Sequence, residues 1–120
     1  MAKILVADDD SLFREMVETM LTRHGHRVVG VGTVQNCLSQ LHAEPFDLVL
    51  TDLHMPVQSD GDNPIALIRE QGLAIPVIGM TGGRSRAGHA LSPSVFEPVT
   101  ILNKPFSPQQ LATEIDKALL

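Results

Sequence analysis

Short apolar runs alternate with longer amphipathic stretches from one end of the chain to the other. Apolar runs bounded by turn residues predict buried strands over 3–7, 27–32, 47–51, 76–80 and 99–103. Apolar positions at helical spacing, together with helix-terminating residues, predict helices over 11–24, 34–43, 64–71, 85–92 and 108–119. This alternation of strand and helix predicts an α/β fold, a doubly wound five-stranded parallel sheet in three α/β/α layers.

Several predicted helix ends carry local capping signals. Asp10 or Ser11 can accept a backbone hydrogen bond at the start of the first helix, and Thr33 can do so for the second. Ser107 and Gln110 form a capping box with proline at the first helical position.

Two segments of the pattern are weaker than the rest. The second strand is less apolar than the others and is interrupted by Gly30 and Gly32. Glycines and prolines within 82–98 leave room only for the short helix at 85–92.

Composition narrows the class of protein. A chain of 120 residues, 43% hydrophobic and 19% charged, predicts one globular domain over 1–120 with no output domain. The start at Met1 and the final helix suggest a whole gene product. No apolar stretch approaches the ~20 residues that cross a bilayer. The single cysteine, Cys37, cannot form an internal disulfide, which predicts a cytoplasmic location. A net charge of −5 without a basic run, and the absence of Trp and Tyr, argue against nucleic-acid binding.

Polar residues follow four of the predicted strands. The first strand runs into Asp8–Asp10, and the others end at Asp52, Thr81 and Lys104. Because ligands of parallel sheets bind at the carboxyl ends of the strands, these side chains should surround one crevice. Clustered carboxylates repel one another unless a cation lies among them, and their hard oxygen atoms suit Mg²⁺.

These segments resemble the receiver domain of two-component response regulators over essentially the full chain. The matching segments are 4–10, 47–56, 76–82 and 104–106, in that order along the sequence. The resemblance implies a flavodoxin-like (CheY-like) fold and a phosphoprotein of a two-component phosphorelay. It also implies a phosphoacceptor rather than an enzyme, although such a protein promotes its own phosphorylation and dephosphorylation.

The resemblance implies how the phosphoryl group and the metal would be held. Asp52 would be the phosphoacceptor, receiving the group from a sensor histidine kinase or a histidine phosphotransfer protein. Mg²⁺ would be bound by Asp8, Asp9 and Asp52 and by the backbone carbonyl of His54.

Further residues would serve the phosphoryl group once it is attached. Lys104 would pair with Asp52 at rest and with a phosphoryl oxygen afterwards, and the Thr81 hydroxyl would bind another oxygen and act as the switch. Gly82 is small, as entry of the phosphoryl group requires. The Lys104–Pro105 bond would be cis, as it is in the family.

Other family positions bear on rate and on partners. His54 and Gly83 should flank the phosphoryl group and modulate its hydrolysis. Leu12 and Glu15, on the first helix beside the acidic cluster, are candidates for partner docking. Ile101 belongs to the face that binds targets, and it replaces the aromatic residue common there. The loop at 57–61 is one residue longer than the family pattern.

The leading interpretation is therefore a stand-alone receiver that signals by binding a downstream protein or by passing the phosphoryl group onward. A pseudo-receiver that is not phosphorylated is the first alternative. A phosphatase of the haloacid dehalogenase type is the second, but the sequence after Asp52 lacks its second carboxylate. A flavodoxin-like nucleotide binder is disfavoured because the aspartates after the first strand would repel phosphates.

Overall fold

The computed structural model describes residues 1–55, 64–82 and 100–120. The predicted helix at 85–92, the loop at 57–61 and Gly83 lie outside these ranges. Within them, five strands and four helices follow one another in the order β1 (Lys3–Ala7), α1 (Ser11–Arg23), β2 (Arg27–Val31), α2 (Val34–Ala43), β3 (Leu48–Asp52), α3 (Pro64–Glu70), β4 (Val77–Gly82), β5 (Thr100–Lys104) and α4 (Pro108–Ala118).

The five strands form one parallel sheet in the order β2-β1-β3-β4-β5. This is the flavodoxin-like order, in which the chain reverses direction across the sheet between β1 and β3. The predicted doubly wound, five-stranded parallel sheet is thereby confirmed. Since β1 lies between β2 and β3, the residues after β1 and β3 are brought side by side at one edge.

Each face of the sheet is covered by two of the described helices. Val17 and Leu21 of α1 and Leu111 and Ile115 of α4 belong to one buried apolar cluster. The other face carries a second cluster, to which α2 contributes Val34, Cys37 and Leu41 and α3 contributes Ile65 and Ile68. The central strands, buried on both faces, are therefore mostly apolar, and their polar residues lie toward the strand ends.

The predicted capping signals are present in the structure. Asp10 is the N-cap of α1 and accepts a hydrogen bond from the Phe13 amide, which decides between the two candidates at that end. Thr33 caps α2 through the Asn36 amide. The reciprocal capping box of Ser107 and Gln110 starts α4.

Element boundaries differ from the sequence predictions by one or two residues. β3 and β4 begin and end later than expected, and β5 ends later, so that Asp52, Thr81 and Lys104 are within the strands rather than after them. Asp52 pairs with Met80, and Gly82 pairs with Lys104, so the ladder continues to the functional residues. No helix in the described parts of the chain has the length and apolar character needed to cross a bilayer.

Candidate functional site

The candidate site lies at the carboxyl ends of β1, β3, β4 and β5. Asp8 follows β1 directly, while Asp52, Thr81 and Lys104 belong to the last residues of the other three strands. Asp8, Asp52 and Thr81 are buried, although each is polar. Because buried polar groups are costly unless they are hydrogen bonded, their partners determine what the site can do.

Three carboxylates form the centre of this site. Oxygen atoms of Asp8, Asp9 and Asp52 lie within 4.8 Å of one another. Asp8 is fully buried, Asp52 is 5% exposed, and Asp9 is open to solvent. The site is thus an acidic pocket with one accessible side.

Lys104 is the cation that contacts this pocket. Its Nζ lies 2.8 Å from Asp8 Oδ2 and 3.3 Å from Asp52 Oδ2. The ammonium group also lies over the ring of Phe13, 4.5 Å from the centroid, and Phe13 packs edge-to-face against Phe106. Burial acts to lower the pKa of Lys104, but the bond to Asp8 and the charges of both carboxylates outweigh it and raise that pKa.

The Asp52 carboxylate is held by opposing influences. Burial raises its pKa, and the nearby Asp8 charge adds to that rise. The His54 amide, which donates to Asp52 Oδ1 at 2.9 Å, and the Lys104 ammonium act in the opposite direction without cancelling it. The carboxyl group of Asp52 therefore has an elevated pKa and lies in a fixed orientation.

The donor set fits a hard divalent cation. Among the described residues, three carboxylates face the ammonium group of Lys104, which compensates only one of their negative charges. The clustered donors are oxygen atoms, and one side of the pocket admits the water ligands that Mg²⁺ retains. The residues present thus match the chemistry of a magnesium site.

The hydroxyl of Thr81 is hydrogen bonded to a histidine. His54 Nε2 and Thr81 Oγ1 are 2.7 Å apart, and the imidazole ring is otherwise exposed. The sequence predicted that both residues border the phosphoryl position, and the structure brings them together. Their direct bond was not foreseen, because it depends on the conformation of the His54 side chain. Whether the His54 carbonyl is a metal ligand stays a prediction.

The remaining predicted site residues are distributed more widely. Leu12, 78% exposed, and Glu15, also exposed, lie on α1. Ile101 is half-buried and packs against the apolar cluster on the opposite face of the sheet, so these three docking candidates do not share one surface. The Lys104–Pro105 bond is cis, and a β-carbon added at Gly82 would meet no atom of the described residues within 4 Å.

Sequence reasoning missed two contributors to this edge. Phe13 was not among the predicted site residues, whereas its ring contacts the Lys104 ammonium. Arg14 was not singled out, yet its guanidinium donates to the backbone carbonyl of Asp8 at 2.8 Å. No sequence pattern marks Arg14 for this contact, since Gly30 in β2 and Gly32 just after it only leave room for its side chain.

Comparison with known proteins agrees with this geometry. The family model described as the response regulator receiver domain matches residues 4–116. The chain belongs to the response regulator receiver family. Receivers of this family are signalling phosphoacceptors rather than enzymes in general, and they typically bind Mg²⁺ at an acidic pocket.

Individual relatives have similar sequence identity to this chain but differ in their total length. The response regulator receiver protein CpdR of Brucella abortus is 32% identical over 122 residues, covering 100% of this chain and 98% of the relative. The response regulator protein FleR of Pseudomonas aeruginosa is 35% identical over 112 residues, covering 92% of this chain but only 23% of FleR. The chain therefore spans almost the whole of one relative and less than a quarter of the other.

Solved structures agree on the fold. The chemotaxis protein CheY4 of Vibrio cholerae has a TM-score of 0.83 at 27% identity, with 99% of each chain covered. The receiver domain of the Francisella response regulator 1452 has a TM-score of 0.81 at 25% identity, with 99% of this chain and 97% of that chain covered. The flavodoxin-like, CheY-like fold expected from the sequence is confirmed.

Proposed function

We propose that this receiver accepts a phosphoryl group on Asp52 from a histidine kinase or a histidine phosphotransfer protein and signals by a phosphorylation-dependent protein contact or by phosphorelay. The observation that carries the proposal is the Asp52 carboxylate, fixed between the Lys104 ammonium and the acidic pocket. In keeping with the family, the chain acts as a phosphoacceptor that promotes its own phosphorylation and dephosphorylation.

The transfer step requires an oriented carboxylate. A carboxylate oxygen of Asp52 attacks the phosphorus atom of a phosphohistidine, a P–O bond forms, and the P–N bond breaks. The donor imidazole leaves with the electron pair and takes up a proton, and Asp52 becomes an acyl phosphate. The bonds from the His54 amide and Lys104 hold the carboxylate in one orientation for this attack.

Charge is the main obstacle to this step, because an anionic nucleophile must approach an anionic donor. Mg²⁺ held by Asp8, Asp9, Asp52 and the His54 carbonyl would neutralise charge on the transferring oxygens. Lys104 would exchange Asp52 for a phosphoryl oxygen. Its contact with Asp8 supports this role, since it keeps the ammonium near the site throughout.

Thr81 supplies the switch in this proposal. Its hydroxyl would leave His54 and bind a phosphoryl oxygen, and no described residue would obstruct that group at the neighbouring Gly82. The movement of Thr81 would shift β4, and it would reach β5 because Thr81 pairs with Asn103 of that strand. His54 and Gly83 would set how fast water removes the phosphoryl group.

Partners and context follow from the same proposal. The kinase or phosphotransfer protein would dock beside the pocket near Leu12 and Glu15 of α1, which are exposed there. A downstream protein would contact the face that includes Ile101. Action as a stand-alone, single-domain receiver is supported by the match with CpdR over 98% of that protein. The cytoplasmic location and the absence of nucleic-acid binding stay predictions.

Intact mass spectrometry tests the proposal directly. The protein is incubated with a small acyl-phosphate donor, with and without Mg²⁺, beside Asp52→Asn and the control Asp116→Asn on the exposed side of α4. We expect a magnesium-dependent gain of one phosphoryl group in the wild type and in Asp116→Asn, and none in Asp52→Asn. A protein that gains no phosphoryl group from any donor, including a phosphorylated kinase, would instead be a pseudo-receiver.

A further inference from the structure

Gly30 in β2 and Gly32 just after it lie beneath a half-buried ion pair on α1. Arg14 Nε is 3.6 Å from Glu18 Oε2, one helical turn away on the same helix, and both side chains are largely shielded from solvent. The Arg14 guanidinium reaches beyond this pair and donates to the carbonyl oxygen of Asp8. A cation from α1 therefore holds the backbone at the edge where the carboxylates meet.

A side chain at either glycine would press on this pair. A β-carbon at Gly30 would lie 1.8 Å from Glu18 Oε2 and 3.3 Å from Arg14 Cδ. At Gly32 it would lie 3.2 Å from the nearest guanidinium nitrogen of Arg14. The absence of side chains at Gly30 and Gly32 thus leaves room for Arg14 to reach Asp8, which gives these two glycines a structural reason.

The bond from Arg14 completes the restraints on Asp8. The Asp8 amide donates to the Val31 carbonyl, and its carboxylate accepts from the Asp10 amide and from Lys104. The carbonyl held by Arg14 belongs to the peptide that joins Asp8 to Asp9. Because the peptide is planar, holding that carbonyl also holds the amide nitrogen of Asp9. The orientation of the exposed Asp9 side chain is restrained as a result.

We propose that Arg14, supported by Glu18 and admitted by Gly30 and Gly32, is a positioning residue for the magnesium site. It holds the Asp8–Asp9 peptide so that both carboxylates face the same cation. The inference rests on the proposed role of Asp8 and Asp9 as metal ligands. Groups that orient metal ligands without touching the metal commonly change metal affinity by roughly 10- to 100-fold when they are removed.

The direction in which Mg²⁺ affinity changes when Arg14 is replaced distinguishes a positioning role from a purely electrostatic one. A guanidinium beside an acidic pocket lowers the negative potential there, so removal of its charge alone would strengthen cation binding. Loss of positioning would weaken binding instead. Arg14→Lys distinguishes these two explanations as well. Lysine keeps the positive charge but lacks the planar guanidinium that reaches both Glu18 and the Asp8 carbonyl.

Calorimetric titration with Mg²⁺ is the test, performed on the wild type, Arg14→Met, Arg14→Lys and the control Arg23→Met at the other end of α1. We expect the Kd for Mg²⁺ to rise roughly 10-fold in Arg14→Met, to rise also in Arg14→Lys, and to stay unchanged in Arg23→Met. Unchanged or tighter binding in Arg14→Met would overturn the inference. A wild type that binds no Mg²⁺ would overturn the proposed metal site itself, and this inference with it.

A second variant and a metal-free measurement keep the test independent of any loss of folding. Gly30→Ala keeps the arginine at position 14, but its added methyl group would clash with the Glu18 carboxylate and crowd Arg14 Cδ, so we expect it to weaken Mg²⁺ binding in the same direction. In metal-free NMR spectra, Arg14→Met should shift the amide signals of Asp9 and Asp10, whereas Arg23→Met should not. Unshifted signals in folded Arg14→Met would contradict the proposed restraint.

Discussion

Burial of the Asp52 carboxylate has opposite consequences for reactivity and for folding. Removal from water raises its pKa and destabilises the charged form, which is the form that attacks phosphorus. The His54 amide and Lys104 recover part of that loss and orient the group. Asp52 is thus a poorly solvated but well oriented nucleophile, and its burial lowers the free energy of unfolding of the protein.

This cost predicts that Asp52→Asn stabilises the metal-free protein at neutral pH. Because the pKa of Asp52 is raised in the folded state, the folded protein binds the proton more tightly than the unfolded chain does. Wild-type stability therefore falls as pH rises through that raised pKa, while asparagine does not titrate. The stabilisation should be complete above the raised pKa of Asp52, should shrink as pH falls through it, and should be absent below the ordinary carboxyl pKa of about 4.

Thermal unfolding in the presence of a chelator, from about pH 3 to pH 8, measures this difference. Asp116→Asn serves as the exposed control and should follow the wild type across the range. A lower Tm for Asp52→Asn at neutral pH, or an advantage that grows in acid, would contradict the argument.

The bond between His54 and Thr81 predicts a second effect at the residue scale. The phosphoryl group must compete with the imidazole for the Thr81 hydroxyl, and one such hydrogen bond contributes about 1 kcal/mol net. We therefore expect His54→Ala to favour the phosphorylated state by roughly 5-fold, measured as the level of phosphorylation at a limiting concentration of donor.

A double-mutant cycle isolates that contact. Thr81→Val removes the hydroxyl while keeping a branched side chain, so His54→Ala should have little effect on phosphorylation in the Thr81→Val background. An equal effect in both backgrounds would mean that His54 acts on the site by a different route.

The chemistry-bearing residues could be predicted because strand ends determine where they lie. Asp8, Asp52, Thr81 and Lys104 needed only the parallel sheet and its order to be brought together. The contacts of His54 and Arg14 could not be predicted in this way. Each depends on the path of a long side chain across a neighbouring element, and the sequence pattern carries no information on that path.

At the scale of the element, the start of α4 supports the position of Lys104. The chain turns from β5 into α4 through Pro105 and Phe106, and Phe106 packs against Phe13 beneath the ammonium group. The capping box at Ser107 satisfies backbone donors at the first turn of α4.

We expect Ser107→Ala to lower the free energy of unfolding by about 1 kcal/mol, because it removes the cap that accepts from the Gln110 amide. Ser39→Ala, at an exposed position inside α2, is the matched control and should be neutral or slightly stabilising. Urea denaturation at equilibrium compares the two. Equal stability of both variants and the wild type would show that the cap contributes nothing.

Element boundaries were less predictable than element type. Apolar runs mark where a strand is buried, but pairing continues for as long as neighbouring backbones stay in register. Asp52 is thus a strand residue because it pairs with Met80, although its side chain is polar. Conversely, Pro76 lacks an amide hydrogen, so β4 begins at Val77 while the Pro76 carbonyl still accepts from Val49.

At the scale of the whole molecule, the acidic pocket links folding to metal binding. The chain carries a net charge of −5, and three of its carboxylates are gathered at one edge of the sheet with one ammonium group. The unfolded chain does not hold these groups together. A cation that binds the pocket therefore binds the folded state selectively and stabilises it by mass action.

We expect Mg²⁺ at about 100 times its Kd to stabilise the wild type by about 2.7 kcal/mol and to have little effect on Asp9→Asn. The same titration of Asp52→Asn tests whether Asp52 is also a ligand of this metal. Without metal, Asp52→Asn should be more stable than the wild type, but asparagine is a weaker ligand for Mg²⁺ than a carboxylate. Saturating Mg²⁺ should therefore narrow or reverse its advantage over the wild type in thermal unfolding. An advantage unchanged by Mg²⁺ would mean that Asp52 is not a ligand of the metal that Asp8 and Asp9 bind.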